Sequence, residues 1–255
     1  MKSFYRLLNY ELGTMLRGVL LLSLGAVISP LMFLSIHMNH SFAIYQRYET
    51  IYAESGCMMV FLVYLAAMLG LFLRSFYSHY SSSRSIYTLL ALPVRREALY
   101  FSKLLALIIS LMTLWAALAL SIWIGFGMVE GQISGATTFL TAPHNGVFLA
   151  AIRSSFLSIA LPSNAQALLS TLSIGAALAT GLCYAAICER SKRYWGFAVL
   201  AAAIYTLIRA LTYRMNMPAS PFETFSLQAN SLILLAFSAW FAWHGMRLVK
   251  RGAIG

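Results

Sequence analysis

The chain has 255 residues, of which 60% are hydrophobic and 10% charged, against about 25% charged in an ordinary soluble domain. All seven acids are Glu, and 18 Lys and Arg leave a net charge of +11. There is too little polar surface to cover a globule in water, and the basic residues stand between long apolar runs rather than along one polar face. A soluble enzyme, a nucleic-acid binder and a disordered chain are excluded, and a polytopic membrane protein with its charge sorted by side remains.

The first residues, Lys2 to Arg17, mix Lys2, Arg6, Glu11 and Arg17 with Phe4, Leu7, Leu8, Leu12, Met15 and Leu16 at helical spacing. This pattern predicts an amphipathic helix on the inner leaflet rather than a cleavable signal. Six apolar stretches then reach the roughly 20 residues needed to cross the hydrocarbon. They run approximately over 18–37, 55–73, 100–129, 165–188, 194–213 and 227–246. The third exceeds one perpendicular crossing and must tilt or project. Pro30 in the first removes a backbone donor and predicts a kink.

The expected fold is therefore all-α, one polytopic membrane domain of six transmembrane helices with an N-terminal amphipathic interfacial helix. With the N-terminus inside, 14 Lys and Arg fall on one face and four (Arg47, Arg153, Arg209 and Arg214) on the other. The positive-inside rule then places both termini in the cytoplasm of a multi-pass cell-membrane protein. The segment 146–161 is apolar but short, carries Arg153 and is closed by Pro162. It is expected to be an interfacial or re-entrant helix on the outer face, not a seventh crossing.

Catalytic and metal chemistry find little footing. Every Glu falls in a loop or at a span end, so no carboxylate is expected inside the membrane, where a lone charge is costly. The five His match no metal-ligand spacing, and Cys57, Cys183 and Cys188 contain no CxxC pair. No metal site and no disulfide framework is predicted. There is no GxSxG elbow. Gly13-Thr-Met-Leu-Arg-Gly18 has the glycine spacing of a phosphate loop but continues Val-Leu rather than Lys-Ser/Thr. An energy source, if used, sits on another polypeptide.

Three features invite a role. Arg209 lies about one turn from the outer end of the fifth span, where it either snorkels to headgroups or faces a translocation path. Ser173, Ala177 and Gly181 recur every four positions on the fourth span. Such a stripe of small residues suits close packing, either inside the bundle or against a second copy. The long cytoplasmic loop, 74–99, carries the most informative string. Ser85 is an N-cap candidate and Pro93 a stop, leaving two helical turns in which Ile86, Leu89 and Leu90 share a face flanked by Arg84, Arg95 and Arg96. A helix of that kind can dock in a protein groove or rest on acidic lipid.

The string Ser85-Ile-Tyr-Thr-Leu-Leu-Ala-Leu-Pro93-Val-Arg-Arg-Glu97, continuing to Lys103, resembles the segment after the second span of ABC-2-type transporter permeases. The six spans, N-terminal helix and long third span fit that family across the chain. The resemblance implies the membrane subunit of an ATP-driven exporter that moves an amphipathic or hydrophobic substrate (peptide, drug or lipid-like). It would pair with a second permease chain, identical or related, and with two separate ABC ATPase subunits that hold the ATP and Mg. It also implies that Arg84, Ile86, Tyr87, Leu89, Leu90, Arg95 and Arg96 form the coupling helix against the ATPase, with Arg95 and Arg96 able to touch membrane lipid instead. No cofactor is expected on this chain, and no nucleic acid. A non-transporting scaffold or sensor that binds a cytoplasmic partner through 74–99 is the alternative reading.

Overall fold

The computed structural model describes residues 2–40, 47–81, 96–135, 146–162, 164–191, 194–215 and 221–250. All regular structure among them is helical: α1 (Lys2–His40), α2 (Tyr48–Glu54), α3 (Cys57–Ser81), α4 (Arg96–Gly135), α5 (Val147–Arg153), α6 (Ser155–Ala160), α7 (Ala165–Arg190), α8 (Trp195–Met215) and α9 (Pro221–Lys250). Helices satisfy their own backbone groups, which hydrocarbon requires. Six of them (α1, α3, α4, α7, α8 and α9) are long and apolar enough to cross a membrane. The all-α, six-span architecture expected from the hydropathy pattern is thus present.

Three details depart from the expectation. Residues 2–17 are helical, but they run without a break into the first span, so that α1 is a single helix of 39 residues with Pro30 inside it. A short helix, α2, precedes the second span. The stretch 146–161 is broken at Ser154 into helices of seven and six residues, each about 10 Å long and far too short to cross. Ser154 makes the break by capping α6, its side chain accepting the Leu157 N–H at 3.3 Å.

The chain divides into two compact units, 18–68 with 112–168, and 1–17 with 69–111 and 169–255. The first is organised around α2. Gly56, at φ 74°, supplies the left-handed turn from which α3 starts at Cys57. Tyr48, Ile51 and Tyr52 of α2 are buried with Leu34 of α1, Leu118 and Ile122 of α4, and Leu157 of α6. The Tyr48 hydroxyl donates to the Ile122 carbonyl at 2.9 Å, and Tyr52 stacks on Phe156 with ring centroids 6.0 Å apart. The Trp115 indole N–H donates to the Ala160 carbonyl at 2.6 Å, tying α4 to the end of α6. The Cys57 thiol donates to the Pro30 carbonyl at 3.4 Å.

In the second unit α7 is the most enclosed span. The expected stripe of small residues proves to be internal packing: Ser173 and Ala177 are buried, and Ala177 meets Ala210 of α8 and Leu234 of α9. Farther along α7, Tyr184 is fully buried, stacked on Phe241 at 4.9 Å with its hydroxyl 3.0 Å from His244 Nδ1. Gly196 lets α8 approach α7 closely, since a Cβ there would lie 2.5 Å from Cys188 Sγ and 2.9 Å from the Tyr184 hydroxyl.

Candidate functional site

Most of the coupling segment read from the sequence (Arg84, Ile86, Tyr87, Leu89, Leu90 and Arg95) lies outside the described residues, and Arg96 is the first residue of α4. The two stems of that loop are described, and both belong to the second unit. They are the C-terminal turns of α3, up to Ser81, and the first turns of α4.

Both stems are pinned by polar contacts that composition alone did not reveal. In α4, Glu97, Tyr100 and Lys103 recur every third residue, a spacing that keeps helical neighbours on one side. Glu97 pairs with Lys250 of α9, Oε1 to Nζ 2.8 Å. Tyr100 is buried beside Gly245 of α9, where an added Cβ would sit 3.1 Å from the phenol oxygen. Lys103 pairs with Glu11 of α1, Nζ to Oε1 2.8 Å, and its ammonium lies 5.5 Å from the centre of the Phe76 ring on α3. On α3 the next residue, Tyr77, donates its hydroxyl to Glu189 of α7, and Arg190 lies over the Tyr77 ring at 5.8 Å.

These contacts differ greatly in exposure. The Lys250 and Glu97 side chains are 51% and 34% exposed, and exposed pairs contribute about 0–1 kcal/mol. Those of Lys103 and Glu11 are 14% and 2% exposed. Breaking a buried pair by removing one partner costs about 3–5 kcal/mol, because the other charge is left without a counter-charge. The Phe76 ring presents its negative face to the ammonium and adds to its stabilisation.

The expectation that no carboxylate is buried in a span is therefore corrected. Glu11 lies inside α1 and inside the apolar stretch Phe4–Asn39. The carboxylate is tolerated there because Lys103 neutralises it. A signal was present in the register: Leu7, Glu11, Met15 and Val19 follow one another at four-residue intervals, and all four are buried. Glu11 thus occupies a core position of an otherwise apolar stripe.

Arg209 is on the exposed side of α8. Its guanidinium donates to the Tyr213 hydroxyl at 3.3 Å and lies 5.7 Å from the centre of that ring, both contacts within one helix. Among the described residues no group of three or more His, Cys, Asp or Glu lies together to hold a metal. The three cysteines are buried and form no disulfide among the described residues. Comparison with protein-family models, with characterised proteins and with solved structures finds no match to this chain.

Proposed function

We propose that this chain is the membrane-spanning subunit of an ATP-driven exporter, working with a second permease chain and with separate ATPase subunits. The observation that carries the reading is the loop between α3 and α4. Its string from Ser85 to Lys103 combines an apolar two-turn segment, a Leu-Pro-Val break and a basic pair. A loop with this content suits docking into a cytoplasmic partner, and the polar anchoring of both stems gives that partner something firm to push against. The distribution of Lys and Arg supports a cytoplasmic position for the loop and for both termini, in a cell membrane. ATP and Mg would belong to the partner, since this sequence has no phosphate loop. The cargo that fits an apolar, aromatic-rich bundle is amphipathic or hydrophobic. The one deeply buried ion pair described above is neutral as a pair, so it gives a small ion no reason to enter.

The test is co-purification. A tagged chain extracted in mild detergent should retain an ATPase subunit, while the isolated chain hydrolyses no ATP. Reversing Arg84 to Glu together with Leu89→Asp should release that subunit without unfolding the bundle. Retention of the partner by the double variant would remove the docking assignment.

A further inference from the structure

We infer that Glu11 and Lys103 form a positioning pair that makes α1 follow the stems of the 82–95 loop. The inference deepens the exporter reading and rests on it. Most contacts among these helices are apolar, and apolar surfaces slide over one another at little cost, because lipid tails are as apolar as the side chains they replace. An ion pair with both members buried behaves differently. Parting Glu11 from Lys103 would separate two opposite charges in low-dielectric surroundings, which costs far more than sliding one apolar surface over another, so the two helices move together at this point.

The pair is also placed where such a pin would matter. Lys103 belongs to the α4 stem and points its ammonium at Phe76 of the α3 stem, while Glu11 belongs to α1. One ammonium therefore links both stems to a third helix. The other stem contacts, Glu97 with Lys250 and Tyr77 with Glu189, reach α9 and α7 instead. The Glu11–Lys103 pair engages α1, the helix that carries the N-terminus. Stability alone does not account for it, since an apolar pair of similar volume is often as stable or more so. A displacement of the loop by a cytoplasmic partner would thus pull on α1 through the carboxylate of Glu11.

The experiment uses the full chain with its co-purified ATPase in lipid nanodiscs. A bimane fluorophore is placed at Leu16→Cys, a position on α1 that is 52% exposed, and MgATP with vanadate is the stimulus. The wild-type background should show a nucleotide-dependent fluorescence change. Glu11→Gln and Lys103→Met should each reduce it about fivefold or more while the ATPase still co-purifies, and the exchanged pair Glu11→Lys/Lys103→Glu should restore it. Single variants that respond like wild type overturn the inference, and so does an exchanged pair that fails to regain what the single variants lose. If the single variants do not fold, the exchanged pair decides: folding with a response supports the pin, anything else overturns it. A wild-type complex that binds an ATPase yet shows no change at α1 also overturns it. Absence of any ATPase from the wild-type preparation is a different result, which removes the exporter reading itself.

Discussion

Tyr48 and Tyr52 are one turn apart on α2, equally buried at 3% exposure, and they should respond in opposite ways to loss of the hydroxyl. The Tyr48 hydroxyl donates to the Ile122 carbonyl at 2.9 Å. Tyr48→Phe removes one buried hydrogen bond, worth about 1 kcal/mol net. Among the described residues the Tyr52 hydroxyl has no hydrogen-bond partner. An unsatisfied buried polar group costs about 1–3 kcal/mol, so Tyr52→Phe should be neutral or stabilising by about 1 kcal/mol while its ring keeps its place on Phe156. The two variants should therefore differ by about 2 kcal/mol, equivalent to about 4–8 °C in midpoint for a chain of this size. The assay is the fraction of monodisperse protein surviving a temperature series in one detergent, read by size-exclusion fluorescence. Equal losses in the two variants, or a larger loss in Tyr52→Phe, would refute the reasoning. Either result would mean that ring packing, not hydroxyl satisfaction, decides stability around α2.

Other expectations follow from the same geometry. Burial pushes the phenols of Tyr48 and Tyr52 well above their ordinary range. The unfolded chain therefore releases these protons near pH 10 while the folded chain keeps them, and the stability they contribute is present below that pH and lost as pH rises beyond it. An alkaline series of midpoints should fall from about pH 10 upward, less steeply in Tyr52→Phe, and equal slopes would contradict the assignment. Lys103→Met should cost about 3–5 kcal/mol, whereas Glu11→Leu/Lys103→Met should recover most of the loss because no charge remains buried. A double variant as unstable as the single one would show that something other than the pair is at stake. Gly196→Ala should destabilise by about 1–3 kcal/mol through overpacking against Cys188 and Tyr184. Gly175→Ala, where an added Cβ meets nothing within 4 Å, should be harmless in the same assay.

The sequence made the spans legible because length and apolarity are local properties: four of the six helices contain the whole stretch expected for them, and α3 and α8 start two residues and one residue later than expected. Other elements depend on partners distant in the chain. The interleaved charges of residues 2–17 look like a surface helix until Lys103, far along the sequence, is seen to neutralise Glu11. The helix α2 has no local signature, since its N-cap Arg47 makes no side-chain cap and its burial comes from α1, α4 and α6. The small residues of α7 fit two interfaces equally well on paper, and only the positions of Ala210 and Leu234 distinguish them. In the candidate site the loop motif was readable as a string, but the polar anchors of its stems were not. Tyr77, Glu97, Lys103 and Glu189 are ordinary residues until their partners are known. The loop residues themselves, from Arg84 to Arg95, lie outside the described residues.

The length of α4 has a mechanical consequence. It is one helix of 40 residues with no proline inside, about 60 Å from end to end, roughly twice the thickness of the hydrocarbon it would cross. A rod of that length amplifies small rotations: a tilt of about 5° displaces one end by about 5 Å relative to the other. Push-rod motion along the axis is not needed. A modest rocking at the Glu97–Lys103 end suffices to displace the far end of the helix by several ångström.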